Sequence, residues 1–454
     1  MKKILTVASV CAIALASCNK DNVGPNSDLN AGLPNKPQAT IPTDAAGIIT
    51  KTTLSADTVW KIDGVAFVKP GATLTIQAGT YITSGITKAY NDQITGLTQN
   101  IKGVLVVPKT AKLIANGTAA APIVFTSPNA AGSRNPGDFG GVVLLGNATT
   151  NQASTKRIEG IPQPVGVDVT YGGTNAADNS GSLKYVRIEF AGYNLTADNE
   201  INGLTLGGVG TGTTLENIQV SWGKDDGFEF FGGTVNAKYL VALSNDDDDF
   251  DFDHGYTGTI QYALSLKDPN STNSTSPSPS GPTDSNGLES DNEGTAPYAA
   301  TPKTRPVLKN FTFLGIKDVT VASSKLKFGN RWRRASEYDI QNSIIAGYAT
   351  GAAFQDGATG TFTGNVVHAY TAAFSGATPA GNQTNVSTDA AAYLKLAGGV
   401  NIFYPTATLF NPAFLRPLST SPAYGNGTTT YSGAFHPTTA PWTATWTQFD
   451  PKNY

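Results

Sequence analysis

The sequence predicts an all-β solenoid, a single-stranded parallel β-helix with long inserted loops and a C-terminal cap, on three observations. The 454-residue chain holds 49 glycines and only 14% charged residues, and no stretch follows a convincing 3.6-residue period. Short Val/Ile/Leu/Phe runs are separated by Gly, Asn and Asp turns, the pattern of many short strands. Segments 218–223 (IQVSWG), 239–244 (YLVALS) and 260–265 (IQYALS) share one alternation, with Ile218 and Leu240 about 22 residues apart and Leu240 and Ile260 about 20. A leucine-rich repeat would add a helix to each unit, and a propeller blade would need about 40 residues.

From the N-terminus, Met1, Lys2 and Lys3 precede a short apolar run, and residues 15–18 (LASC) match a lipobox. Residues 1–17 are therefore expected to be a lipoprotein signal peptide, with Cys18 as the lipidated residue. Residues 18–45, rich in Asn, Pro and Asp, read as a flexible tether. Residues 46–410 carry the solenoid. Segments 72–76 and 104–107 open it, and 184–190, 311–314, 340–345 and 365–368 continue it. Residues 193–202 and 269–285 interrupt the period as insertions, and residues 411–454, with Trp442 and Trp446, are read as the cap. No segment after residue 20 is apolar and long enough to span a bilayer. A formal net charge of −3 argues against a nucleic-acid partner.

Three acidic blocks follow these strands: 224–233 (KDDGFEFFGG), 245–255 (NDDDDFDFDHG) and 286–294 (NGLESDNEG). Phe228 follows Ile218 by ten residues and Phe250 follows Leu240 by the same ten, so Phe228 should stack on Phe250 and Phe230 on Phe252. Residues between them face outward. The expected outward column is Thr205, Glu229, Asp251, Glu289, Lys327, with Asp253 and Asp291 beside it and Asp226, Asp248 and Asn286 in the adjoining turns. Carboxylates stacked at about 4.8 Å repel by roughly 1 kcal/mol in water-like surroundings, and by more where the dielectric is lower. Protonation, a bound cation, or Lys327 with Arg331, Arg333 and Arg334 would each relieve that repulsion. Glu229, Asp251, Asp253, Glu289 and Asp291 are the candidate metal ligands, and Ca²⁺ suits such an oxygen-rich set.

The run from about Gly140 through these blocks to Trp442 and Trp446, including 199–208 (NEINGLTLGG), resembles uncharacterised Bacteroidota cell-surface lipoproteins. Their fold is similar to the right-handed β-helix of pectate-lyase-like proteins. The resemblance implies an outer-membrane lipoprotein, facing the medium or, alternatively, the periplasm. It also implies a monomer whose partner is extracellular glycan. Pectate-lyase-like enzymes neutralise a uronate with Ca²⁺ and abstract a proton with a basic residue, which here makes Lys327 or Arg331 the candidate base. Asp251 and Glu289 are the acidic catalytic candidates. Asp225, Asp226, His254 and Gly255 resemble the set of inverting glycosidases on the same fold.

Three functional readings follow. The first is glycan binding by the acidic, Ca²⁺-loaded face through Glu229, Asp251 and Asp253, with Trp222 and Trp332 as exposed stacking platforms. The second is a polysaccharide lyase or glycoside hydrolase on that face. The third is a purely structural surface protein whose Asp and Asn ladders only hydrogen-bond the turns, which would account for Asp225, Asp246 and Asp247.

Overall fold

The computed structural model describes residues 33–93, 96–162, 167–196, 199–270, 285–425 and 429–454. The expected signal peptide, Cys18 and the serine-rich part of the 269–285 insertion lie outside the described residues. Residues 38–40, inside the segment expected as tether, already form a strand that pairs with Val59–Ile62.

The chain winds as an all-parallel β-helix with three sheet faces, joined in one 25-stranded sheet. Long strands such as Gly181–Glu189, Thr214–Ser221, Ala237–Leu243 and Thr259–Leu266 each serve two faces by bending in the middle. The bend falls at Tyr185, Asn217, Tyr239 and Tyr262, which align across rungs and all hold a left-handed backbone. One left-handed residue turns the strand through a corner without breaking the ladder, and Asn tolerates it best after Gly. A second corner repeats at Phe190, Trp222 and Ser244, and a third at Gly208, Gly232 and His254.

The third face carries Leu204–Gly207, Phe228–Phe231, Phe250–Asp253, Leu288–Ser290 and Phe328–Trp332. Phe228 lies opposite Phe250 and Phe230 opposite Phe252, with ring centroids 5.2 and 5.1 Å apart. These rings fill the interior with Leu204, Leu288 and Phe313, so alternation forces Glu229 and Asp251 outward. Elsewhere the expected register needs correction. Ala237, not Leu240, lies opposite Ile260, because this turn of the coil is one residue longer than the last.

The second face is apolar on its outer side as well: Val241, Leu243, Leu264, Leu266, Leu314, Ile344 and Val366 form a second cluster there. The C-terminal segment covers it. Residues 432–454 run back along this face as a strap, from Gly433 bonded to Asn342 (2.8 Å) to Gln448 on Gln219 (2.9 Å). It ends at Tyr454, whose phenol donates to the buried Glu189 (2.6 Å). Trp446, within the strap, is buried against the apolar cluster of this face.

Candidate functional site

The outward column of the third face changes character along the solenoid. It begins with Phe67, Val106 and Val143, buried under an excursion that contributes Ile158, Ile161, Val169 and Tyr171. It continues with Thr205, Glu229, Asp251 and Glu289, as the spacing predicts, and then with Arg331. Lys327 is displaced from the column. The inward place opposite Leu288 belongs to Asn330, so alternation of apolar residues singled out the wrong triplet. Lys327 is exposed on the surface, its ammonium over the Phe328 ring.

A cleft of about 600 Å³ opens on the acidic rungs. Asp225, Asp226, Glu229, Asp247, Asp248, Asp251, Asp253, Glu289 and Asp291 line it, with Glu159, Glu200 and Glu293 from the loops around it. Its cations are Lys156, Arg333 and Arg334. The turns are interlocked: the Asp226 carboxylate accepts from the Asp248 amide (2.8 Å), and Asp248 accepts from the Asn286 amide (2.5 Å). Asn202 opens that ladder, its Oδ1 accepting from the Asp226 amide (3.2 Å) while its Nδ2 donates to Glu229.

Two groups of carboxylates converge. Asp225, Asp226 and Asp247 bring one oxygen each within 4.8 Å of one another, and Asp226, Glu229 and Asp251 do the same. Asp226 belongs to both. Burial, and then the neighbouring carboxylates, hold Asp225, Asp226, Glu229 and Asp251 well above the ordinary carboxylate range. Burial beside Glu200 pushes Glu159 up to about 8.

The far rungs are arranged differently. Glu289 takes Arg331 (3.1 Å) and Arg333, and Asp291 takes Arg333 and Arg334 (2.7 Å each). Of the five expected metal ligands, Glu229 and Asp251 therefore fall in a converging group. Glu289 and Asp291 belong to an arginine network, and Asp253 lies beside His254 (3.2 Å). Arg331 is engaged by Glu289 and Gln355 (3.1 Å each).

His254 bridges Tyr171 (2.8 Å) and Asp253, with Phe231 stacked on its ring. Burial holds the imidazole down at about 3, and burial beside Asp291 pushes Asp253 up to about 7. The two tryptophans expected as exposed platforms are neither exposed nor in the cleft. Trp332 points into the core against Tyr338, in space left by the small Ser290 opposite it. Trp222 sits at a corner on the strap side, its ring covered by the Lys452 ammonium at 3.7 Å.

Turn hydrogen bonding is the role the sequence suggests for Asp225, Asp246 and Asp247, with Asp226 in the adjoining turn column, whereas Asp225, Asp226 and Asp247 converge in the cleft. Asp225 and Asp247 stand at the same offset before the stacked Phe228 and Phe250, which is the signal that places them together. Glu159 and Glu200 come from segments outside the repeat, where no register points to them.

The donor set is chemically suited to a hard divalent cation. It is all oxygen, and Asp251 Oδ1 is buried without a hydrogen-bond partner. Residues Asp225, Asp226, Glu229, Asp247 and Asp251 would hold such an ion, whose chemistry would be to neutralise the cluster and take oxygens of a ligand.

Fold and cleft together define a parallel β-helix protein with a polar groove on one sheet face. The chain belongs to the family described as the pectate-lyase like beta helix domain, whose model matches residues 46–447. No curated protein matches it in sequence. Among solved structures, an endopolygalacturonase I from Stereum purpureum, complexed with two galacturonate, is 9% identical with a TM-score of 0.26; the alignment covers 77% of this chain and 99% of that one.

Proposed function

We propose that this protein is a calcium-dependent glycan-binding protein of the cell envelope, anchored through Cys18 in the outer membrane. The carrying observation is the pair of carboxylate groups that share Asp226. Crowded, buried carboxylates are costly when ionised and unpaired. A divalent cation offsets that cost and leaves coordination positions for hydroxyl or carboxylate oxygens of a saccharide. The remaining acidic wall supplies acceptors for sugar hydroxyls. With no tryptophan in the cleft, recognition is polar.

Calorimetric titration with CaCl₂, followed by polysaccharide binding in calcium and in EDTA, tests this. The expected result is micromolar-to-millimolar calcium binding and glycan retention that EDTA abolishes. No heat and no melting-temperature shift at millimolar calcium would sink the reading.

One observation favours hydrolysis as a second reading: Asp253, held near neutrality beside His254, is suited to donate a proton to a leaving oxygen. Oxygens within the two carboxylate groups are closer than the roughly 6.5–9.5 Å of an inverting pair, so the donor would be Asp253 rather than a member of either group. Release of reducing ends, lost in Asp253→Asn, would support it. The lyase reading is the weaker one, since Lys327 lies on the outer surface and Arg331 is paired with Glu289.

A further inference from the structure

Beneath the acidic turn lies a charged side chain that reaches neither solvent nor the cleft. Lys267, just beyond Thr259–Leu266, is fully buried, as is its partner Asp249 at 3.6 Å. Its ammonium reaches back one rung, donating to the backbone carbonyl of Asp247, to that of Asn245 (3.5 Å) and to Ser285 Oγ (3.1 Å). Ser285 in turn donates to the same Asp247 carbonyl (2.8 Å). Asp249 is held by Ser265 (2.5 Å) and Asn245 Nδ2 (3.0 Å), and Asn245 Oδ1 accepts from the Gly223 amide (3.0 Å).

Burying an ammonium costs several kcal/mol unless its geometry is well satisfied, so a lysine here needs a reason. The bonds supply one. The carbonyls of residues 245 and 247 are drawn inward, while the carboxylates of Asp247 itself and of Asp248 after it line the cleft. The same network reaches Gly223, which precedes Asp225 and Asp226 in the rung before. We infer that Lys267 is a positioning residue that clamps the 245–248 turn from inside and thereby sets the arrangement of the cation-binding carboxylates. This rests on the calcium reading above.

The test uses the full chain and two readouts. Lys267→Met, isosteric along most of its length, is titrated with CaCl₂ and followed by hydrogen–deuterium exchange without added metal. The expected result is calcium affinity lowered about 10- to 100-fold, the range for residues that orient metal ligands. Faster exchange should be confined to peptides covering 245–249 and 285–287, with the other rungs protected as in the parent. Unchanged exchange in those peptides overturns the inference, whatever the affinity does. If the parent binds no calcium, the cation reading falls, and exchange alone decides whether Lys267 clamps the turn. If Lys267→Met does not fold, Ser285→Ala removes one acceptor and one bond to Asp247, and unchanged exchange in that variant overturns the inference equally.

Discussion

The third face offers two halves built on the same ladder. In one, Asp225, Asp226, Asp247, Glu229 and Asp251 converge carboxylate on carboxylate; in the other, Glu289 and Asp291 are enclosed by Arg331, Arg333 and Arg334. Strand spacing and outward direction are shared, so backbone geometry does not explain the difference. The arginine half shows how a β-helix stabilises stacked carboxylates when stability is the aim. In the converging half, burial and the neighbouring carboxylates instead hold Asp225, Asp226, Glu229 and Asp251 well above the ordinary range, a kind of perturbation that clusters at functional sites.

The sharpest way to break that contrast is substitution of the shared ligand. Asp226→Asn keeps an oxygen to accept from the Asp248 amide but removes the charge common to both groups. Calcium affinity should fall at least about 100-fold while the calcium-free protein becomes more stable, by about 1 kcal/mol. Calorimetry and urea denaturation read the two effects. A destabilised, still calcium-competent variant would place Asp226 with the turn-forming aspartates instead.

The converse substitution lies in the arginine half. Arg333→Met leaves Glu289 and Asp291 short of a shared partner in a site where both are buried. Loss of about 3 kcal/mol is expected, because removing one member of a buried ionic network strands the others. Denaturant midpoints at constant slope would measure it. A neutral outcome would mean that the two halves do not differ as described.

A pH series compares the halves without mutation. A carboxylate raised in the folded state holds a proton that the unfolded chain has already lost, so each such group makes stability fall as pH rises from the ordinary range near 4 toward its folded value. For Asp253 and Glu159 that window closes at about 7 and about 8. His254, held at about 3, acts in the opposite sense between there and its ordinary value, but it is one group against several. The melting temperature without calcium should therefore drop by about 5 °C between pH 5 and 8, and saturating calcium should remove most of the drop. A flat profile would contradict the crowding.

Much of this face was legible in the sequence because a repeat converts spacing into contact. Phe228 and Phe250, each ten residues after a strand residue of the previous face, were enough to stack Glu229 on Asp251, and Leu288 carried the register on to Glu289. Legibility ended where the pattern did. Asn330 is a polar residue in an inward place, Ser290 makes room for an inward Trp332, and the helix Val319–Lys325 interrupts the coil before that rung. Glu159 and Glu200 come from excursions whose position depends on folded contacts. The strap was hidden for another reason: the apolar outer side of the second face looks, in sequence, like the alternation of any buried strand.

The smallest expected effect separates the spacing-derived column from the observed one. Lys327→Ala should change stability by no more than about 0.5 kcal/mol and leave calcium affinity unaltered, since its side chain is exposed, lies over the Phe328 ring and does not line the cleft. Arg331→Ala, at the true column position, removes the 3.1 Å bond to Glu289 and should cost more than Lys327→Ala in the same denaturation series. If the order were reversed, Lys327 rather than Arg331 would terminate the acidic column, and the arginine half would lose the member that begins it.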